Sequence, residues 1–181
     1  LKLSDSIKKR LYGFKSNNVN WEHQSVKIDP YILGSWLGDG YSNGSGFSGN
    51  DEEVIYKWMD WSTFNQAEVV HAAPYRFAVR RKGAGYKRGA IGSEKDCPIC
   101  IKSNCNICKT SIDYENIKKP KNSTCPLKDA LKEYNLLNNK HIPECYLIND
   151  KETRLQLLAG IIDSDGCVTN NGKRVTIIQT D

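Results

Sequence analysis

Apolar positions in this chain follow two periods, and the places where the period changes mark the elements. Two apolar runs, Tyr31–Leu37 and Leu157–Ile162, each break off on a carboxylate followed by glycine. Both read as helices. Asp29-Pro30 supplies an N-cap and a first-turn proline for the first. Asn149, with Glu152 three residues on, reads as the start of the second, which is expected to run to about Ser164. Val54, Ile55, Trp58, Met59 and Ser62 recur at helical spacing after Asn50 or Asp51, with Glu52 and Glu53 placed to complement the dipole. Leu127, Ala130, Leu131 and Tyr134 do the same after Cys125-Pro126, and this helix is expected to end near Asn138-Asn139. Alternation by two appears over Ala67–Val70 and Tyr75–Arg81, on either side of Ala72-Ala73-Pro74. In the second strand Arg76, Ala78 and Arg80 share one face, and Tyr75, Phe77 and Val79 the other. Tyr41–Gly49 predicts a turn leading into a short strand around Phe47. Asn170-Asn171-Gly172, between Cys167-Val168 and Val175–Ile178, is a hairpin signal. The fold class expected is α+β.

The two carboxylate-glycine phrases are copies of one another. Aligning Tyr31–Gly40 with Leu157–Gly166 puts Gly34 on Gly160, Gly38 on Ser164, Asp39 on Asp165 and Gly40 on Gly166. Small residues four apart share a helix face and let two backbones approach closely. Helices packed through Gly34, Gly38, Gly160 and Ser164 would bring Asp39 and Asp165 side by side. Paired carboxylates at short range need a proton or a cation between them, which points to a divalent metal. A calcium loop starting at Asp163 is excluded, because its fifth, sixth and twelfth positions are Cys167, Val168 and Arg174.

Leu158–Gly166 resembles the LAGLIDADG motif, and Ile32–Gly40 resembles the usual first copy of that motif. Asp29-Pro30-Tyr31-Ile32-Leu33-Gly34 is similar to the lead-in of the first motif in the intein-borne type. Asn138-Asn139-Lys140-His141-Ile142-Pro143, followed by Arg154-Leu155-Gln156-Leu157-Leu158-Ala159-Gly160, is similar to the lead-in of the second. The resemblance, over about residues 20–181, implies a two-motif homing endonuclease with the αββαββα fold, its first half nearly complete and its second half begun. It further implies a monomer when full length, double-stranded DNA as partner, and a host protein carrying the intein. Catalysis would fall to Asp39 and Asp165 holding Mg²⁺, with Lys140 near the reacting phosphate to orient or deprotonate water and offset charge. His141 is better read as structural. On this reading residues 1–28 are a linker or the edge of a splicing domain. Residues 29–164 form the first half, with a Cys-rich insertion at about 95–123 and the second motif helix at about 150–164. Residues 165–181 open a second half, so the 181-residue piece alone is expected to cut DNA poorly.

Charge adds a polyanion partner to this picture. The chain carries a net charge of +5, and Arg76–Lys95 holds seven basic residues against the single acid Glu94, leaving the remainder close to neutral. Arg76, Arg80, Arg81, Lys82, Tyr86, Lys87 and Arg88 are the candidate DNA contacts. A solvated strand face is the competing reading. Cys97, Cys100, Cys105 and Cys108 form a CxxC-x4-CxxC cluster that could hold one structural Zn²⁺; reduced thiols or an iron–sulfur cluster are the alternatives. Cys125, Cys145 and Cys167 are isolated and read as packing residues. Seven cysteines make no even disulfide framework, which favours a reducing, intracellular setting. No apolar run approaches the roughly 20 residues of a membrane span. Three rival functions stay open: an intein whose endonuclease has decayed while splicing persists, against which the intact Asp39/Asp165 pair argues; a non-catalytic DNA-binding module held by Zn²⁺; and an RNA-splicing maturase of the same fold, which the intein-like flanks disfavour.

Overall fold

A computed structural model describes residues 19–82, 125–169, 171 and 174–177. The chain is mixed α+β: α1 Pro30–Asp39, β1 Gly46–Ser48, α2 Glu52–Phe64, β2 Ala67–Ala73, β3 Arg76–Arg81, α3 Pro126–Glu133, α4 Glu144–Leu147, α5 Lys151–Asp165, β4 Gly166–Thr169 and β5 Arg174–Ile177. The first three strands form an antiparallel sheet in the order β1-β3-β2, and β4 and β5 form a separate antiparallel hairpin.

Helix starts follow the capping chemistry. The Asp29 side chain accepts from the Ile32 amide, with Pro30 opening α1. Asp51 accepts from the Glu53 and Val54 amides at the start of α2. Because both orphan donors rely on one carboxylate, Asp51→Ala is expected to cost about 1 kcal/mol, a loss of roughly 3 °C in a thermal melt. At α5 the cap is Asp150, which accepts from the Thr153 amide at 2.7 Å, and not Asn149. Asn149 is fully buried and brackets another strand of chain. It accepts from the Gln24 amide and donates to the carbonyls of Gln24 and Cys145.

That bracket reaches into the segment expected to be a linker or the edge of a splicing domain. Residues 19–28 are tied down: Ile28 is fully buried, its carbonyl accepts from the Tyr146 hydroxyl at 2.7 Å, and His23 contacts the Asp150 cap. Trp21, the large aromatic of this segment, is half-exposed. Residues 1–18 lie outside the described residues.

The helix α3 stops at Glu133, earlier than the spacing suggested. Asn135 takes a left-handed conformation, the Asn135 amide bonds Lys132 O and the Leu136 amide bonds Leu131 O, which is a Schellman ending. Leu136 is buried where it packs back, so the apolar pattern continues through the cap and hides the helix end.

The core lies between the sheet and the helices. Phe47 stacks on Trp58 with ring centroids 4.4 Å apart and on Phe77 at 5.2 Å. The Trp58 indole N–H donates to Ser35 Oγ and that of Trp36 to Gly44 O, so both large rings bury their polar handle satisfied. Register divides the sheet into two faces. Phe77 and Val79 are buried opposite Phe47 or His71 and Val69. Arg80 lies opposite Glu68 on the outer face, where Arg76 and Ala78 also project. Tyr75 does not join the apolar set: it sits in the turn before β3 with a left-handed backbone and is half-exposed. Among the isolated cysteines, Cys125 donates its thiol to Val79 O and Cys145 is half-buried, whereas Cys167, expected as a packing residue, is exposed on β4.

Candidate active site

The two motif helices pack against one another in parallel, and their contact is backbone on backbone. A methyl group at Gly34 would overlap Leu157 O and lie 3.0 Å from Ile161 N. A methyl at Gly160 would overlap Tyr31 O and lie 2.7 Å from Ser35 N. The relation is reciprocal: each glycine sits on the carbonyl of the residue three before the other, so the pair obeys a local two-fold relation. One turn on, the Cβ position of Gly38 is 2.8 Å from Ser164 Cβ and 3.1 Å from Asp165 Cγ. The Asp165 carboxyl therefore lies against the last turn of α1, the turn that ends in Asp39.

Two acids at two helix C-termini sit where the dipoles disfavour negative charge. Burial and the neighbouring Asp165 carboxylate push the Asp39 carboxyl above its ordinary range, and Lys140 only partly draws it back. Lys140 reaches the pair from the loop after α3. That loop is pinned to the turn after α1 by the bond from the Asn138 amide to Ser42 O. Its Nζ donates to Leu37 O and Gly38 O, each at 3.0 Å, and lies 5.1 Å from the Trp36 ring centre. The Gly40 amide takes Trp36 O and Ser48 Oγ takes Asp39 O, so all four terminal carbonyls of α1 are satisfied, two of them by this one ammonium. Burial lowers the Lys140 pKa, against an upward pull from Asp165 and Asp39. His141 is exposed, and its Nδ1 lies 2.8 Å from Asn139 O.

No group of three or more His, Cys, Asp or Glu side chains is arranged to hold a metal among the described residues. Asp39 and Asp165 are a set of two. Their hard carboxylate oxygens, raised in energy by mutual proximity, fit Mg²⁺, which is commonly held by one or two carboxylates with phosphate oxygens and water completing the octahedron.

No family model matches the chain. Replicative DNA helicase DnaB from Mycobacterium intracellulare is similar to it, with 26% identity over 145 residues. The match takes in 80% of this chain, and the chain spans about 15% of that relative's length.

The basic residues do not act as one surface. Arg76 is exposed on the outer sheet face. Arg80, on the same face, is mostly covered and donates to Glu68 at 2.9 Å. Arg81 pairs in register with the buried Ala67, which turns it to the helix side, where it lines an open cleft of about 370 Å³ with Phe64, Gln66 and Asp129. Lys82 is exposed at the end of β3. Tyr86, Lys87 and Arg88 lie outside the described residues, as do Cys97, Cys100, Cys105 and Cys108. One cluster escaped the sequence reading. The Tyr31 hydroxyl donates to Asp163 Oδ2 at 2.8 Å, and Lys57 Nζ lies 3.5 Å from that oxygen and 3.9 Å from the Tyr31 ring centre. The available signal was Tyr31 itself, a hydroxyl-tipped residue at the place where the second copy has Leu157.

Proposed function

We propose that this chain is the catalytic part of a site-specific double-strand DNA endonuclease of the LAGLIDADG kind, carried within a host protein as an intein. The observation that carries the reading is the glycine-faced pairing of α1 and α5, which sets Asp39 and Asp165 at neighbouring helix ends with Lys140 beside them. Motif, flanking phrases and geometry agree at these residues. Similarity to a limited stretch of a much longer replicative helicase is compatible with an inserted element.

Asp39 and Asp165 would hold Mg²⁺, each carboxylate serving one DNA strand. The bound cation would supply a Lewis acid and a water of lowered pKa for in-line attack on phosphorus. Lys140, held by its bonds to Leu37 O and Gly38 O, would stand beside the reacting phosphate to orient or deprotonate the attacking water and offset developing negative charge. The outer sheet face suits a duplex. Gly46, Ala78 and Val70 make a low floor between Arg76 and Arg80, whose Cα atoms are roughly 13 Å apart along the strand. Affinity through the exposed Arg76, with Lys82 at the rim and Tyr86, Lys87 and Arg88 beyond it in sequence, would fall steeply with salt.

The test uses the full protein that carries this segment and a plasmid pool with random inserts. Linearisation should require Mg²⁺, and Asp39→Asn or Asp165→Asn should reduce it about a thousandfold or more while DNA affinity in a mobility-shift assay is kept. A non-catalytic DNA-binding module would lose nothing in either variant. A maturase would prefer structured RNA over duplex DNA in the same binding assay.

A further inference from the structure

Glycine faces set how close α1 and α5 come, but a smooth contact of this kind leaves rotation about the helix axis lightly restrained. Rotation matters here because the reacting groups stand off the axis. Turning α5 by about 10° would move a carboxylate at a radius of roughly 5–6 Å by about 1 Å. Displacement on that scale is enough to change a metal site held by two side chains.

Leu157 and Ile161 seat α5 in the core, and side chains at the margin of the contact add to that restraint. At one margin is the three-helix cluster of Tyr31 from α1, Lys57 from α2 and Asp163 from α5. Asp163 lies two residues from Asp165, and at 100° per residue it therefore projects about 200° around the same last turn. Holding one carboxylate fixes the angle of the other. An acid in the last turn of a helix is unfavourable against the dipole, so Asp163 is kept there by specific partners and not by helix preference. Tyr31 is well suited to the task. Its ring is buried while its hydroxyl reaches across to α5, and burial beside Asp163 keeps that hydroxyl protonated, so it remains a donor. Lys57 closes the cluster by lying over the ring and approaching the same carboxylate oxygen, half-exposed to solvent.

We propose that Tyr31, Lys57 and Asp163 are positioning residues that fix the rotation of α5 on α1 and thereby the spacing of the Asp39 and Asp165 carboxylates. This rests on the endonuclease reading of the same site.

The experiment measures Mn²⁺ binding to the full chain by electron paramagnetic resonance, which requires no turnover, alongside Mg²⁺-dependent cleavage by the protein that carries it. Tyr31→Phe and Lys57→Met should each weaken Mn²⁺ binding about tenfold, in the range seen when groups that orient metal ligands are removed. Lys57→Arg, which keeps a cation over the ring, should restore binding to within about twofold. DNA affinity should not move in any of them. A merely structural role would lower the melting temperature and leave Mn²⁺ affinity unchanged in the folded protein, and that result overturns the proposal. Equal weakening in Lys57→Met and Lys57→Arg overturns it also. Should Tyr31→Phe not fold, the two Lys57 variants decide the matter alone, because Lys57 is half-exposed and outside the core. Absence of both Mn²⁺ binding and cleavage in the unmodified protein defeats the endonuclease reading and this proposal with it. Tight binding and cleavage that ignore all three substitutions defeat the proposal only.

Discussion

A Gly160→Val chain is expected to lose about 3 kcal/mol or more of stability, enough to leave it largely unfolded if the starting stability is at the low end for a domain. The new side chain would have to enter space already held by Tyr31 O and Ser35 N, which are backbone atoms of α1. Flexible side chains can swing aside from an added methyl; a helix backbone cannot without moving as a body. Moving α1 outward would open the contacts of Trp36, Ile32 and Leu33, all at most 2% exposed. By the reciprocal relation, Gly34→Val should cost a similar amount through Leu157 O. Gly44→Ala is the control: nothing lies within 4 Å of the added methyl, and a change within about 0.5 kcal/mol is expected. Urea melts of the three variants against the parent check all of this. Equal midpoints for Gly160→Val and Gly44→Ala would mean that the two helices are not in backbone contact.

This contact also shows why the centre of the fold was readable from sequence and its edges less so. Close approach needs small residues at fixed spacing, and only one residue type fits against a carbonyl, so Gly34 and Gly160 carried the signal in their identity. Capping is equally local for α1 and α2, where Asp29 and Asp51 each meet amides two or three residues away. It was misread at α5 because Asn149 and Asp150 are both good caps. The choice between them is made by the Gln24 backbone, 125 residues distant, which claims the Asn149 side chain. Strand alternation placed Arg76, Ala78 and Arg80 on one face, but charge alone could not foretell that Glu68 would cover Arg80. Nor did the basic run reveal that Arg81 turns to the helix side; register against Ala67 decides that. The cluster of Tyr31, Lys57 and Asp163 was invisible for the same reason. Its members belong to three different helices, and Asp163 lies more than a hundred residues from the other two.

Asp39→Asn is expected to make the protein more stable and to remove cleavage together. The Asp39 carboxyl is held above its ordinary value of 3.8 by burial first and by Asp165 second, with Lys140 giving back less than these take. A folded-state pKa above the unfolded one means that the folded protein binds more protons, so stability falls as pH rises from about 3.8 through the folded value. Above that window the full cost of the ionised group is present, and at neutral pH an amide at position 39 avoids it. The Asp39→Asn protein should melt higher than the parent at neutral pH, and the two proteins should converge below the ordinary carboxylate pKa. Thermal melts across pH 3–8 measure this directly. Divalent cation supplies the second half of the test. Millimolar Mg²⁺ should raise the Tm of the unmodified protein by binding its folded state, and leave Asp39→Asn nearly unmoved. A divalent cation bound between the two carboxylates would relieve the electrostatic cost that Asp39 carries at its half-buried helix end. Unchanged melting of both proteins in Mg²⁺, with Asp39→Asn no more stable at neutral pH, would remove that cation and the endonuclease reading with it.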